Sequence, residues 1–193
     1  SRSSAASDVY KRQIYGVGFV RDGNNNIIYN GGLPLRAPSD INNNSFLGYA
    51  NPDFTFGINN KFTYRNFSVG FQFDGRIGGS IYDEVYKDGM NGGTAYESAS
   101  GYFGVARLAE WQSTNNGSVA PTGKYVAPGV KIISGTPVYA GGKIINLKDL
   151  TFAPNDQATT VQKFISSGIG NVTEYWMTDR SFVKLREVSI SYT

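Results

Sequence analysis

Between Phe54 and Ile77 the chain alternates apolar with polar or small residues, and the phase of the alternation reverses halfway along. Phe54, Phe56, Ile58, Phe62 and Tyr64 hold even positions, with Asn60 the exception, while Thr55, Gly57, Asn59, Lys61, Thr63 and Arg65 hold odd ones. Beyond Asn66 the apolar residues Phe67, Val69, Phe71, Phe73 and Ile77 are odd, and Ser68, Gly70, Gln72, Asp74 and Arg76 lie between them. A period of two marks a strand with one apolar face. A reversal of phase is what a tight hairpin requires. With Arg65 and Asn66 as the turn, paired residue numbers sum to 131. Tyr64 then faces Phe67, Phe62 faces Val69, Asn60 faces Phe71, Ile58 faces Phe73 and Phe54 faces Ile77. The other face pairs Thr63 with Ser68, Lys61 with Gly70, Asn59 with Gln72 and Thr55 with Arg76. One register segregates both strands, and a slip of one residue would mix the faces. Asn66 is the residue expected to supply the left-handed backbone of the turn.

Strand length narrows the reading. Roughly 12 residues at about 3.3 Å each span about 40 Å, or about 28 Å when tilted by about 45°, close to the hydrocarbon thickness of a bilayer. Strands of soluble proteins average about 5–6 residues. Tyr64, beside the turn, falls where an interfacial aromatic girdle would lie. A soluble β-sandwich could bury the same face against a second sheet, so both readings stand at this point. Phe182–Tyr192 reads as another strand. Val188, Ile190 and Tyr192 share one parity, while Val183 and Leu185 have the other, which predicts a β-bulge near Glu187.

The rest of the chain is polar and rich in glycine and asparagine. From Gly78 to Arg180 only short apolar pieces occur, at Tyr102–Leu108, Gly129–Ile133 and Gly142–Leu147, each too short to span a membrane as a strand. A long loop at one end of a barrel accounts for such a stretch. Upstream, two apolar stretches flank a turn cluster at Asp22–Asn26, which reads as a hairpin, and Gly31 to Ala50 reads as loop. Asp22, Asn24 and Asn26 alternate as early calcium-loop ligands do, but the closing Glu is missing and a polar turn is the better reading.

The chain has no Cys and no His. Ser-His-Asp and Cys-His nucleophile pairs are therefore excluded, as are ordinary zinc sites. Asp83, Glu84, Asp88, Asp149 and Asp156 form no tight carboxylate pair in the sequence. No catalytic residue, metal or cofactor is assigned, and the chain does not read as an enzyme. No apolar run reaches about 18 residues, which excludes a transmembrane helix but not a spanning strand. The triplets at Asn43, Asn66, Asn116 and Asn171 carry no weight as glycosylation sites in so Asn-rich a chain. Ser3 to Gln13, SSAASDVYKRQ, resembles the in-frame translation of a transposon-derived sequencing adapter, so residues 1–13 are read as non-native. Arg2, Lys11 and Arg12 against Asp8 carry +2 of the total +3, which leaves +1 and no basis for nucleic-acid binding.

Leu47 to Gly79, LGYANPDFTFGINNKFTYRNFSVGFQFDGRIGG, resembles a signature stretch of SusC/RagA-type TonB-dependent transporters. That stretch has a Leu-Gly-Asn-x-x-Pro-Asp element, a strand, a Tyr-Lys-Asn-Phe-like turn and a strand ending in Gly-Gly. Here Tyr49 stands for the Asn and Arg65 for the Lys. SFVKLREVSISYT, Ser181 to Thr193, is similar to the family's Phe-Val-Lys-Leu-Arg-Glu strand, and KYVAPGVKIISG and FAPND resemble its loop elements. The resemblance covers essentially everything after Gln13.

It implies an all-β fold: antiparallel strands forming part of a transmembrane β-barrel, an open fragment rather than a closed barrel. Residues 14–193 would be a partial barrel, with a long extracellular loop at about 78–180 and the Arg65–Asn66 turn on the periplasmic side. It further implies residence in the outer membrane of a Gram-negative cell, surrounded by outer-membrane lipid. The function implied is active import of oligosaccharides or peptides with a SusD-like surface lipoprotein, energised by TonB through a plug upstream. Tyr96, Tyr102, Trp111 and Trp176 are candidates to stack on sugar rings, with Asp179 and Arg180 bonding hydroxyls. Packing of the loop, or contact with the lipoprotein, is the preferred reading for all six. Lys61, Asp74 and Arg76 would face the lumen. A secreted soluble carbohydrate-binding or adhesion β-domain is the alternative function, and a passive porin is a third.

Overall fold

An alternating sequence becomes a two-faced sheet only if its strands meet in register, and here they do. The computed structural model describes residues 13–193, so the adapter-like peptide, except for Gln13, lies outside the described residues. Phe54–Tyr64 and Phe67–Ile77 are antiparallel strands of 11 residues each. Their register runs from Phe54↔Ile77 to Tyr64↔Phe67, and every pair sums to 131. Arg65, not Asn66, takes the left-handed backbone, with φ 52°. In a two-residue turn a positive φ at the first central position alone follows the II′ pattern, whose twist matches that of the flanking strands. A non-glycine residue there costs about 1–2 kcal/mol. The Arg65 guanidinium lies 5.4 Å from the Tyr64 ring centroid, and an exposed cation–π contact offsets about 0.5–1 kcal/mol.

Phe182–Tyr192, also 11 residues, pairs antiparallel with Phe67–Ile77, which becomes the central strand of an open three-stranded sheet. The register shifts between Leu185 and Glu187, so Arg186 is the extra residue of a bulge, as the change of parity predicts. Val183 and Leu185 stand opposite Gly75 and Phe73, and Val188, Ile190 and Tyr192 stand opposite Phe71, Val69 and Phe67. The bulge thus returns both halves of the strand to one apolar face.

This sheet, with Gly48–Ile81 and Thr178–Thr193, forms one unit, and Tyr15–Leu47 with Tyr82–Met177 forms a second. Much of the second unit was expected to be irregular loop, yet it has cores of its own. One gathers Tyr29, Met90, Phe164, Ile165 and Trp176, and the other Val20, Ile28, Ile144 and Leu150. Ile28–Asn30 pairs parallel with Val130–Ser134, which pairs antiparallel with Thr151–Pro154. The Asp22–Asn26 turn closes as a hairpin, with the Ile28 amide donating to Val20 O at 3.0 Å. Burial acts to raise the Asp22 pKa, but donors from Asn26 and Asn24 hold its carboxyl below the usual range. The segment expected as loop at 31–50 contains a short strand at Ser45–Tyr49.

Two helices of nine and twelve residues stand in the second unit, besides the short Val161–Lys163. Glu84–Gly92 is capped by Asp83, which accepts from the Tyr86 amide, and leaves through Gly93 at φ 75°. Gly101–Gln112 buries Ala106 and Glu110. Strands predominate among the described residues, and no helix there is long and apolar enough to cross a membrane.

Candidate functional site

The three-stranded sheet presents two unlike surfaces. Its apolar face carries Phe62, Val69 and Ile190 side by side across the strands, and is broadly exposed; Phe62 is 60% and Ile190 74% accessible. Contiguous apolar patches beyond a few hundred Å² are rare on soluble monomers and mark surfaces that meet protein or membrane. Phe71 and Phe73 meet edge to face along it, with ring centroids 5.6 Å apart. Gly75 stands opposite Phe56 on the same face, where a Cβ would strike the Phe56 ring and approach Phe182 O at 2.9 Å.

The opposite face is polar, and the register sets all three expected lumen residues on it. Lys61 pairs with Gly70, Arg76 with Thr55, and Asp74 with Gly57. Thr63 and Ser68 bond through their hydroxyls at 2.9 Å. Asp74 accepts from one edge of the Arg186 guanidinium, Nε to Oδ1 and Nη2 to Oδ2. The bulge therefore also delivers a cation to the polar face. Arg76 and Lys184 lie 5.2 Å and 5.0 Å from the Phe182 ring.

The six ligand-contact candidates are divided between the two units. Trp176 is 1% exposed and its indole N–H donates to Ile169 O at 2.8 Å, so it belongs to the core and offers no ring face to a ligand. Tyr96, Tyr102 and Trp111 are exposed. Tyr102 and Trp111 sit nine residues apart on one helix, about two and a half turns, and point to opposite sides. Tyr102 alone borders a cleft of about 630 Å³, with Val105, Lys124, Val126, Pro128 and Asn155. Asp179 and Arg180 belong to the sheet unit. Ser181 donates to Asp179 and holds its carboxyl below the usual range. Arg180 reaches Ala50 O at 3.5 Å.

Two features escaped the sequence reading. Arg21 and Glu174 form a two-pronged pair, Nη2 to Oε1 at 2.7 Å and Nη1 to Oε2 at 3.2 Å, in the wall of a cleft of about 500 Å³. The Glu110 carboxylate is buried and accepts from the amides of Val161 at 2.9 Å and Lys124 at 3.3 Å. Both join distant stretches of chain, and no local pattern announces them. Burial pushes the Tyr29 phenol up to about 12 and raises those of Tyr125 and Tyr175. Among the described residues no cluster of three or more Asp, Glu, His or Cys is placed to hold a metal.

No family model matches the chain. Over 111 residues, 56% of its length, it is 31% identical to the TonB-dependent receptor P3 of Formosa agariphila, and it spans 10% of that protein. The similarity supports kinship with TonB-dependent receptors at the level of the family, and nothing narrower.

Proposed function

We propose that this chain is a section of the barrel wall of a SusC/RagA-type TonB-dependent transporter, importing oligosaccharides or peptides across the outer membrane of a Gram-negative cell. The observation that carries the reading is the exposed apolar face shared by three adjacent 11-residue strands. Strands of that length extend about 36 Å, and at a tilt of about 45° they match the apolar band of about 25 Å on outer-membrane barrels. The similarity to a TonB-dependent receptor supports the same reading from sequence. On it, the apolar face meets lipid, and Lys61, Asp74 and Arg76 solvate the lumen. On the same reading, the segment at about 78–180 lies on the extracellular side, where a SusD-like lipoprotein and the substrate would meet it. Tyr96, Tyr102 and Trp111 are the solvent-facing aromatic candidates there, and Asp179 and Arg180 the polar ones on the sheet unit.

The test uses the full-length transporter with single cysteines, Asn66→Cys and Asn116→Cys, treated with a membrane-impermeant maleimide on intact cells. Asn116→Cys should label directly, and Asn66→Cys only after the outer membrane is permeabilised. Labelling of Asn66→Cys alone overturns the topology. Release of the protein into the medium, with the sheet's apolar face covered by protein, favours the secreted carbohydrate-binding or adhesion domain.

A further inference from the structure

The hairpin tip carries an exception. Among the described residues Asn25, Asn115 and Asn116 are the other non-glycine residues with a left-handed backbone, and Arg65 is the one that is not Asn. Glycine or asparagine is less strained at such a position, and Asn66 stands next along the chain. Strain retained at one position points toward a use for the side chain found there. The guanidinium sits over the ring of Tyr64, which projects from the apolar face, so the charge is held at that face's rim. Among the described residues Arg65 has no carboxylate within ion-pair distance. The register sets Tyr64, Phe67 and Tyr192 in one row across all three strands, each exposed, with the Phe67 and Tyr192 rings 4.9 Å apart.

We infer that Arg65, with Tyr64 and Tyr192, binds the phosphate headgroup of a glycerophospholipid. A guanidinium stacked on a ring keeps its N–H edge free, and that edge matches two phosphate oxygens at once. Tyrosines with an apolar body and a polar tip suit the level where hydrocarbon gives way to headgroups. Below the row, Val69 and Ile190 continue the apolar face along which acyl chains would lie. The inference rests on the reading that this face meets lipid. It adds a specific site, and assigns the turn end to the headgroup layer of the phospholipid leaflet.

The experiment compares the full-length transporter with its Arg65→Asn and Arg65→Lys variants. Arg65→Asn removes the charge while relieving the backbone, so its fold should be at least as stable, read by heat-modifiable gel mobility. Native mass spectrometry with dioleoyl phosphatidylglycerol should show about fivefold lower lipid retention by Arg65→Asn, and a smaller loss by Arg65→Lys, which keeps the charge but not the two-pronged edge. Millimolar inorganic phosphate should not displace the lipid, and a dioleoyl glycerol lacking phosphate should not be retained. Equal retention by folded Arg65→Asn overturns the site, and displacement by inorganic phosphate reassigns it to a free anion. A separate arm introduces Ile190→Trp and measures quenching by brominated acyl chains. Quenching without Arg65-dependent retention overturns the headgroup site and leaves the membrane reading standing. No quenching overturns both.

Discussion

Deleting Arg186 removes one residue from the third strand without touching any apolar side chain. Upstream of the bulge Val183 and Leu185 share a face with Gly75 and Phe73, and downstream Val188, Ile190 and Tyr192 share it with Phe71, Val69 and Phe67. Without the extra residue one half must slip by one position, and every side chain in that half changes face. Val183 and Leu185 turn to the polar side, and Phe182 and Lys184 to the apolar one. On the proposed reading, in which the apolar face meets lipid, a lysine turned to that face costs about 2–4 kcal/mol at the bilayer midplane and less toward the edges. Lys184 pairs with Asp74, seven residues from Phe67, which is about 24 Å along the strand and about 17 Å in depth at a tilt of about 45°. That depth lies somewhat past the midplane and sets the cost near about 2 kcal/mol. Withdrawing Val183 and Leu185 from lipid forfeits roughly 1–2 kcal/mol each. The deletion should therefore cost about 4–6 kcal/mol in all.

Arg186→Ala is the matched control. It keeps the residue count and the bulge, and loses only a solvent-screened contact with Asp74 that contributes little. The full-length protein, folded into lipid vesicles and titrated with urea, reports both variants through heat-modifiable mobility. The midpoint shift of the deletion should be several times that of Arg186→Ala. Equal small shifts would refute the reasoning, because the parity of the faces would then carry no energy.

Three further outcomes follow from single contacts. Gly75→Val drives a side chain into the Phe56 ring and should cost about 1–3 kcal/mol; Gly57→Ser, which meets open space, should leave the same urea midpoint unmoved, and similar effects from both would contradict the packing. Glu110→Leu leaves the amides of Val161 and Lys124 without an acceptor and should cost about 2–4 kcal/mol. Hydrogen exchange at Val161 should quicken strongly in that variant and only slightly in Glu110→Gln, and unchanged exchange in the leucine variant counts against the assignment. Tyr29 ionises near 12 when folded and near 10.0 when unfolded, because burial disfavours the phenolate. Its stabilisation is complete below pH 10 and is lost between pH 10 and about 12, by up to about 3 kcal/mol. Tyr29→Phe should remove that part of the alkaline limb, and an identical limb would rule the mechanism out.

The hairpin was legible because its information is local. Every pair from Phe54↔Ile77 to Tyr64↔Phe67 follows from two alternating runs and one tight turn. The bulge was legible for a related reason, since Val183–Leu185 and Val188–Tyr192 disagree in parity and only an inserted residue reconciles them. The turn shows where residue propensity misleads. Asn tolerates the left-handed region better than Arg, yet the type of turn decides which of the two central positions enters it, and that position is held by Arg65. Lys61, Asp74 and Arg76 were placed on the polar face by parity alone, and the register keeps them there.

The second unit hid because its cores are assembled from pieces that are weak alone. Val20 and Ile28 meet Ile144 and Leu150, and Tyr29 meets Met90, Phe164 and Trp176, across more than a hundred residues of chain in places. The Glu84–Gly92 helix contains Gly89, Asn91 and Gly92, poor helix formers that signal a loop when read locally. Asp83 at one end, Gly93 at the other and the burial of Met90 hold it instead. Trp176 stands in a polar stretch that does not announce its burial, which depends on Tyr86, brought from far along the chain, and on Ile169, whose carbonyl accepts from the indole N–H. The apolar piece at Gly129–Ile133 was passed over because it is too short to cross a membrane, and the FAPND stretch was read only as loop. Val130–Ser134 has five residues and Thr151–Pro154 has four. Such lengths are ordinary for a small sheet built over a compact core, so the argument that kept Gly129–Ile133 out of the membrane was also the signal that it had a core to cover.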